Sequence, residues 1–141
     1  MPECDTHKLL EAVDATLDPT ILDLDTPKIR AAKNDVLQRL RLPRAQLIKY
    51  NQSLKGYRHI DNLDQLQEGA YVRWITLRDD MDFTLTQGGH VCRVDIADKV
   101  RILCRNKVNR MFSFDFNAAL VFVKLTPQEL LLISALDHLA K

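Results

Sequence analysis

Seven side chains in this 141-residue chain are of the kinds that hold a zinc ion: Cys4, His7, His59, His90, Cys92, Cys104 and His138. Cys4-x-x-His7 has usable ligand spacing, and His90 and Cys92 share a face with Cys104 once the hairpin described below is registered. A structural zinc site normally shows two tight ligand pairs. Here the second pair is split across a hairpin. The expectation is no metal and no cofactor, with Cys92 and Cys104 as small core residues, the usual role of free cysteine. Catalytic arrangements are equally sparse. Gly88-Gly89 lacks the spacing and the following Lys-Ser/Thr of a phosphate loop. No nucleophile elbow occurs, and Ser53, Ser113 and Ser134 stand in no triad context. Carboxylates are so numerous that spacing singles out no pair. No catalytic residue is expected, and the chain reads as a non-enzyme.

Basic side chains offer a second chemistry, contact with phosphates or with an acidic partner. The formal net charge is only +1, but the distribution is polarised. Residues 1–25 carry seven acids against Lys8, a net of −6; residues 28–58 carry nine bases against Asp35, a net of +8. Either the acidic segment folds back on the basic one, or the polarity serves an external partner. The candidate contacts for nucleic acid or another partner are Arg39, Arg41, Arg44 and Lys49 in the helical part. In the strand region they are Arg73, Arg93, Arg101, Arg105, Lys107 and Arg110. Tyr71 or Trp74 would have to be exposed for base stacking, and Trp74 reads better as core.

The elements that must position these groups are ordinary. At 46% hydrophobic and 28% charged, the composition is that of a globular domain. The length supports one core without disulfide or metal staples. There is no run of 18 apolar residues and no secretory leader pattern. Three widely spaced cysteines make no disulfide framework. The setting expected is intracellular.

Along the chain, Asp5 or Thr6 caps a first short helix through Leu17, stopped by Asp18-Pro19. Thr26-Pro27 starts a second helix to about Arg41, with Ile29, Val36, Leu37 and Leu40 on its apolar stripe. A third, from about Arg44 to Leu54, turns Leu47 and Ile48 inward, and Gly56 stops it. Residues 57–62 read as a connector. From Leu66 the period changes to alternation. Strands are expected at about 70–77, 90–96, 100–105, around Phe112, Phe114 and Phe116, and at about 120–124. Asp79–Asp82 forms a turn, and Gly88-Gly89 a bulge or sharp bend. In the hairpin around Ala97–Lys99, Ile96 faces Val100, Val94 faces Ile102 and Cys92 faces Cys104 on one buried face. Asp95 pairs with Arg101 on the other.

Thr126-Pro127-Gln128-Glu129 is a capping box that starts a last helix. Its apolar stripe is broad enough that it must pack across an end of the strands or on another chain. Leu132, Ile133, Leu136 and Leu139 are its candidate partner contacts. The architecture expected is α+β. Residues 1–63 form a helical N-terminal region. Residues 64–141 form a five-stranded antiparallel β-barrel with a packed C-terminal helix.

The Leu66–Trp74 block, the Leu85-Thr86-x-Gly88-Gly89 that follows and the closing Phe122-x-Lys124-Leu125 resemble small Tudor-like β-barrel proteins of large eukaryotic double-stranded DNA viruses. The resemblance covers the central half of the chain. It implies a virion component or partner-binding accessory protein, placed in host cytoplasm, nucleus or virion, and carries over no catalytic residue. The leading expectation is thus a non-catalytic protein–protein interaction or structural module that binds another protein or itself. The alternative is a nucleic-acid-binding protein using the basic helices and a barrel face.

Overall fold

A computed structural model describes residues 26–77 and 83–139. The expected first helix, with Cys4, His7 and the acidic run, lies outside the described residues, as do the Asp79–Asp82 turn and Ala140. Helix α1 spans Thr26–Gln38, and Ile29, Lys33, Val36 and Leu37 form its buried stripe. It is shorter than the sequence implies, because the chain leaves the helix in a turn where Arg41 takes φ 54°. The N-terminus of α1 is held by a distant acid: the Thr26 N–H and hydroxyl both donate to the Asp137 carboxylate. A carboxylate at that helix end meets the positive pole of the macrodipole. Helix α2 spans Arg44–Ser53. Tyr50 and, just past the helix, Leu54 are its buried side chains. Ile48, expected inward, is 47% exposed. Its place is taken by Tyr50, whose hydroxyl donates to the Phe83 carbonyl at 2.8 Å.

Six strands follow: β1 Tyr57–Ile60, β2 Tyr71–Thr76, β3 Gly89–Ile96, β4 Val100–Arg105, β5 Met111–Asp115 and β6 Ala119–Lys124. Helix α3, Pro127–Leu139, closes the described chain. The strands form one sheet in the order β1-β6-β2-β3-β4-β5, with antiparallel ladders throughout. The fold is α+β, but the sheet is not closed into a barrel: β1 and β5 are its two edges. Two expectations fall together here. The connector at residues 57–62 contains a strand, and that strand occupies an edge where closure would need a β1–β5 ladder. Because β1 pairs with β6, residues on both sides of position 64 belong to one sheet. No helix among the described residues is long and apolar enough to cross a membrane.

The sheet curls strongly. Trp74 on β2 stacks on Phe114 of β5, with ring centroids 4.3 Å apart and planes at 20°. Ile60, Val72, Val91, Ile102, Cys104, Val121 and Val123 complete the core on this concave face. On the convex face, Val36, Leu37, Tyr50 and Leu54 of the helical region pack on Ile75 and Phe122. A third cluster joins α3 to α1 through Ile29, Leu125, Leu132 and Ile133. Lys33 is buried between the helices and donates to the Leu54 carbonyl at 2.9 Å. Burial, then the neighbouring Arg30, holds its ammonium below the usual lysine range. The capping box forms as expected: the Thr126 N–H donates to Glu129 at 2.9 Å, and the Glu129 N–H to the Thr126 hydroxyl at 3.1 Å. Arg58 and Glu129 also meet in the interior, 3.9 Å apart.

The β3–β4 hairpin keeps Ile96 opposite Val100, Val94 opposite Ile102 and Asp95 opposite Arg101. It then departs from the expected register. A bulge between Val91 and Arg93 places Val91, not Cys92, opposite Cys104. Cys92 becomes the extra, unpaired residue of the bulge and is exposed. Phe112 also departs: it is 45% exposed on the edge strand. Phe116 is buried, but in a short 3-10 turn, Phe116–Ala118, rather than in β5.

Gly88 and Gly89 stand where three strands come closest. Gly88 has φ 89°, and a Cβ there would be driven into the Val72 carbonyl of β2. A Cβ on Gly89 would lie 2.8 Å from the Arg105 carbonyl of β4. Gly69 has the same φ of 89° but open space around it. Gly88→Ala should therefore cost roughly 2–4 kcal/mol, adding backbone overlap to strain. Gly69→Ala should cost only about 1–2 kcal/mol. Urea denaturation followed by the single tryptophan checks this. Equal losses for the two variants would contradict the close packing at Gly88.

Candidate nucleic-acid interface

Alternation along each strand sorts side chains onto the two faces, and the register then aligns them across the sheet. Tyr57 lies opposite Lys124. The Val72–Val123 pairing brings Tyr71 beside Lys124. Tyr71 lies opposite His90, His90 opposite Arg105, and Arg105 opposite Met111. Every strand thus gives one residue to a single row across the convex face: Tyr57, Lys124, Tyr71, His90, Arg105 and Met111. Their sequence neighbours Val72, Val91, Cys104 and Val123 point into the concave core. Lys124, His90, Arg105 and Met111 are exposed, and the two tyrosines are half-buried.

The row is held in place by its own backbone. The Tyr71 hydroxyl donates to the Gln87 carbonyl at 2.8 Å. The Tyr71 and His90 rings meet edge to face, centroids 5.0 Å apart. His90 Nδ1 lies 3.2 Å from the Gly69 carbonyl. A carbonyl only accepts, so this contact is a hydrogen bond in the tautomer that carries its proton on Nδ1. Burial, then the neighbouring Tyr71, pushes the Tyr57 phenol above its ordinary value, against a smaller opposite pull from Arg73. Tyr57 is therefore a neutral ring at physiological pH.

Cations cluster at this end of the sheet. Lys55 precedes Tyr57, and Lys107 and Arg110 sit in the β4–β5 turn beyond Arg105, all exposed. Asn106 organises that turn: its side-chain oxygen accepts from the Val108 and Arg110 N–H groups at 3.0 and 2.9 Å. Its own N–H donates to the Arg110 carbonyl at 3.0 Å. Asn109 takes φ 62°, a conformation that asparagine tolerates. Glu68 is the nearby acid in the chain, just before Gly69. The other end of the convex face is different. Arg93 bonds Asp95 through Nε and Nη2, both at 3.0 Å. Arg101 lies between Asp95 on β3 and Asp115 on β5. There the arginines face carboxylates of their own sheet, while near the Tyr71 row the basic side chains outnumber acids among the described residues.

The sequence-derived candidates separate accordingly. Arg105, Lys107 and Arg110 come together at the row. Arg93 and Arg101 lie on the same face among acids. Arg73 is turned inward: Nε donates to the Thr86 carbonyl at 2.7 Å and Nη1 to the Ser53 carbonyl at 3.3 Å. Arg39 pairs with Asp35 at 2.8 Å, and Arg41, Arg44 and Lys49 stay on the exposed side of the helical region. Trp74 is buried, as its sequence context implies. Leu132 and Ile133, named as partner contacts, are consumed by the protein's own core, and Leu136 packs against it. Leu139 remains exposed, beside Leu130 and the 61%-exposed Leu131. Tyr57, Lys124 and Lys55 went unnamed. The alternation in Tyr57-Arg58-His59-Ile60 was the available signal, but four residues are too few to separate from a connector.

Of the metal candidates, Cys4 and His7 lie outside the described residues. No group of three or more His, Cys, Asp or Glu among the described residues is placed to hold an ion. His59 packs edge-on against Phe122, ring centroids 5.6 Å apart, and burial holds its imidazole below the usual value. No family model, curated protein or solved structure matches this chain. The viral resemblance of the central block therefore gains no relative from these comparisons.

Burial, then the neighbouring Cys92, pushes the Cys104 thiol from 9.0 up to about 12. A group whose pKa rises on folding stabilises the fold fully below its unfolded value. That contribution is lost as pH climbs from about 9 toward 12. In a Cys4→Ser variant, a thiol reagent at pH 8 should label one cysteine rapidly, Cys92, and Cys104 only on unfolding. Two fast equivalents in the folded protein would contradict this burial.

Proposed function

We propose that the protein is a non-catalytic nucleic-acid-binding module. The observation that carries this reading is the concentration of Lys124, Arg105, Lys107 and Arg110 around a row of aromatic rings, on a rigid sheet and an Asn106-braced turn. Phosphate contacts supply most of the affinity and all of the salt dependence in such interfaces. The carboxylates of the same face, Asp95 and Asp115, flank Arg101 rather than each other. They support no acid–base pair.

A protein partner is the second reading. It rests on the outward Leu130, Leu131 and Leu139 of α3, and it loses support from Leu132 and Ile133 being buried inside. A virion or other structural role belongs with this reading.

Fluorescence anisotropy with DNA and RNA across a salt series tests the proposal. Log affinity should fall linearly with log salt. With about three phosphate contacts the slope is roughly −2 to −3. An Arg105→Ala/Lys107→Ala/Arg110→Ala variant should lose at least tenfold in affinity and flatten that slope. An Arg93→Ala/Arg101→Ala variant should stay within about threefold of the parent, because the nearby acids already offset those charges. Absence of binding at low salt would overturn the proposal. So would equal losses in the two variants. Light scattering on the same samples addresses the second reading. A mass above 16.2 kDa that Leu131→Glu abolishes, without nucleic-acid binding, would favour it.

A further inference from the structure

The composition of the convex row says more than its charge. We infer that the ligand is single-stranded nucleic acid, laid across the six strands with its bases stacked on Tyr57, Tyr71 and His90. This rests on the nucleic-acid reading above and names the form of the ligand.

Three observations carry it. First, aromatic and basic side chains interleave at successive strand positions: Tyr57, Lys124, Tyr71, His90, Arg105. Neighbouring strands lie about 4.8 Å apart, so a row of six spans roughly 24 Å. That suits about four nucleotides, the lower end of the site sizes of small β modules. Bases stack on rings whatever their identity, while ammonium and guanidinium groups take the phosphates between them.

Second, the row is narrow. On β6 and β2 the next positions along the convex face are taken up by the protein itself, and His59 on β1 is half-buried. Phe122 is fully buried beneath the helical region, and Arg73 is tied to the Ser53 carbonyl at the end of α2. What stays open on this half is a strip one residue wide at the sheet's end. A duplex is read by a helix or ribbon entering a groove, and this strip projects neither. Rings also cannot stack on bases that are already paired and stacked in a duplex.

Third, two of the rings are fixed before any ligand arrives. Tyr71 is anchored through its hydroxyl to Gln87 and His90 through Nδ1 to Gly69. Little side-chain entropy remains to be lost on binding. With its hydroxyl proton engaged by Gln87, Tyr71 presents its ring to a ligand, and phenylalanine there would keep the ring but lose the anchor.

The test uses the full chain and labelled oligonucleotides at about 50 mM salt, where phosphate contacts are strong. The probes are a 12-nucleotide oligothymidylate, an oligouridylate of equal length and a 20-base-pair duplex. Single strands should bind at least tenfold tighter than the duplex. Tyr71→Leu should weaken single-strand binding tenfold or more and leave duplex binding within twofold, while Tyr71→Phe, which keeps the ring but loses the Gln87 anchor, should fall between the parent and Tyr71→Leu. The oligothymidylate and oligouridylate arms tell a DNA preference from an RNA one. Ultraviolet crosslinking of the unsubstituted protein to the preferred strand, read by mass spectrometry, covers the event that Tyr71→Leu does not fold. Crosslinks should fall on Tyr57, Tyr71 or His90. Equal affinity for strand and duplex, or crosslinks confined to other residues, would overturn the inference and leave a nucleic-acid module standing. Absence of salt-dependent binding to all three probes would overturn both.

Discussion

The stack of Trp74 on Phe114 governs the shape of this molecule. The two residues sit on β2 and β5, three strand positions apart in the sheet order. In a flat sheet three steps amount to about 14 Å, yet the ring centroids are 4.3 Å apart. Side chains standing perpendicular to a flat sheet would not meet in this way, so the sheet must curl toward its own concave face. Curling brings Ile102, Cys104, Val72 and Val121 into one buried cluster, which Leu66 and Phe116 from outside the strands complete. Aromatic stacking of this kind adds about 0.5–1.5 kcal/mol beyond the area buried. The larger contribution is the curl itself, which buries the centre of the concave face, while Ile96 and Phe112 at its margin stay exposed.

An apolar concave core leaves the exposed charged side chains of these strands on the convex side. On the convex side, α1 and α2 cover β1, β6 and β2 through Val36, Leu37, Tyr50 and Leu54. The remaining strands expose charged and polar side chains. Those divide between an end where Arg93 and Arg101 lie among Asp95 and Asp115, and an end where Arg105, Lys107, Arg110 and Lys124 surround Tyr71 and His90. The Gly88–Gly89 step connects the two halves of this arrangement. It lets β3 enter between β2 and β4 at a distance no Cβ would permit, and so brings His90 between Tyr71 and Arg105.

How far the sequence anticipates this depends on the range of the interaction. The Thr126–Glu129 capping box is local and forms as its spacing implies. The register that sets Asp95 opposite Arg101 is fixed by a short loop and holds, although the Asp95 carboxylate bonds Arg93. The bulge at Cys92 is invisible in Val91-Cys92-Arg93, because alternation continues through it and only the partner strand reveals the slip. Barrel closure fails for a non-local reason. It would need β1 and β5 to pair, and β1 is four residues long, carries the buried Arg58, and meets β6 some sixty positions later. The place of Tyr57 and Lys124 in the row has the same origin, since the two are brought together only by that pairing. Burial of Leu132 and Ile133 likewise depends on Ile29, at the far end of the chain.

The central claim is that the outer row, and not the concave core or the helices, is the working surface. Backbone amide NMR during titration with a short oligothymidylate tests it most directly. The account predicts salt-sensitive shifts clustered at Tyr57, Tyr71, His90, Arg105, Lys107, Arg110 and Lys124, with Trp74, Ile102 and the Arg44–Ser53 helix unmoved. Shifts centred on the helices or on the concave face, or a spectrum that does not change, would contradict it.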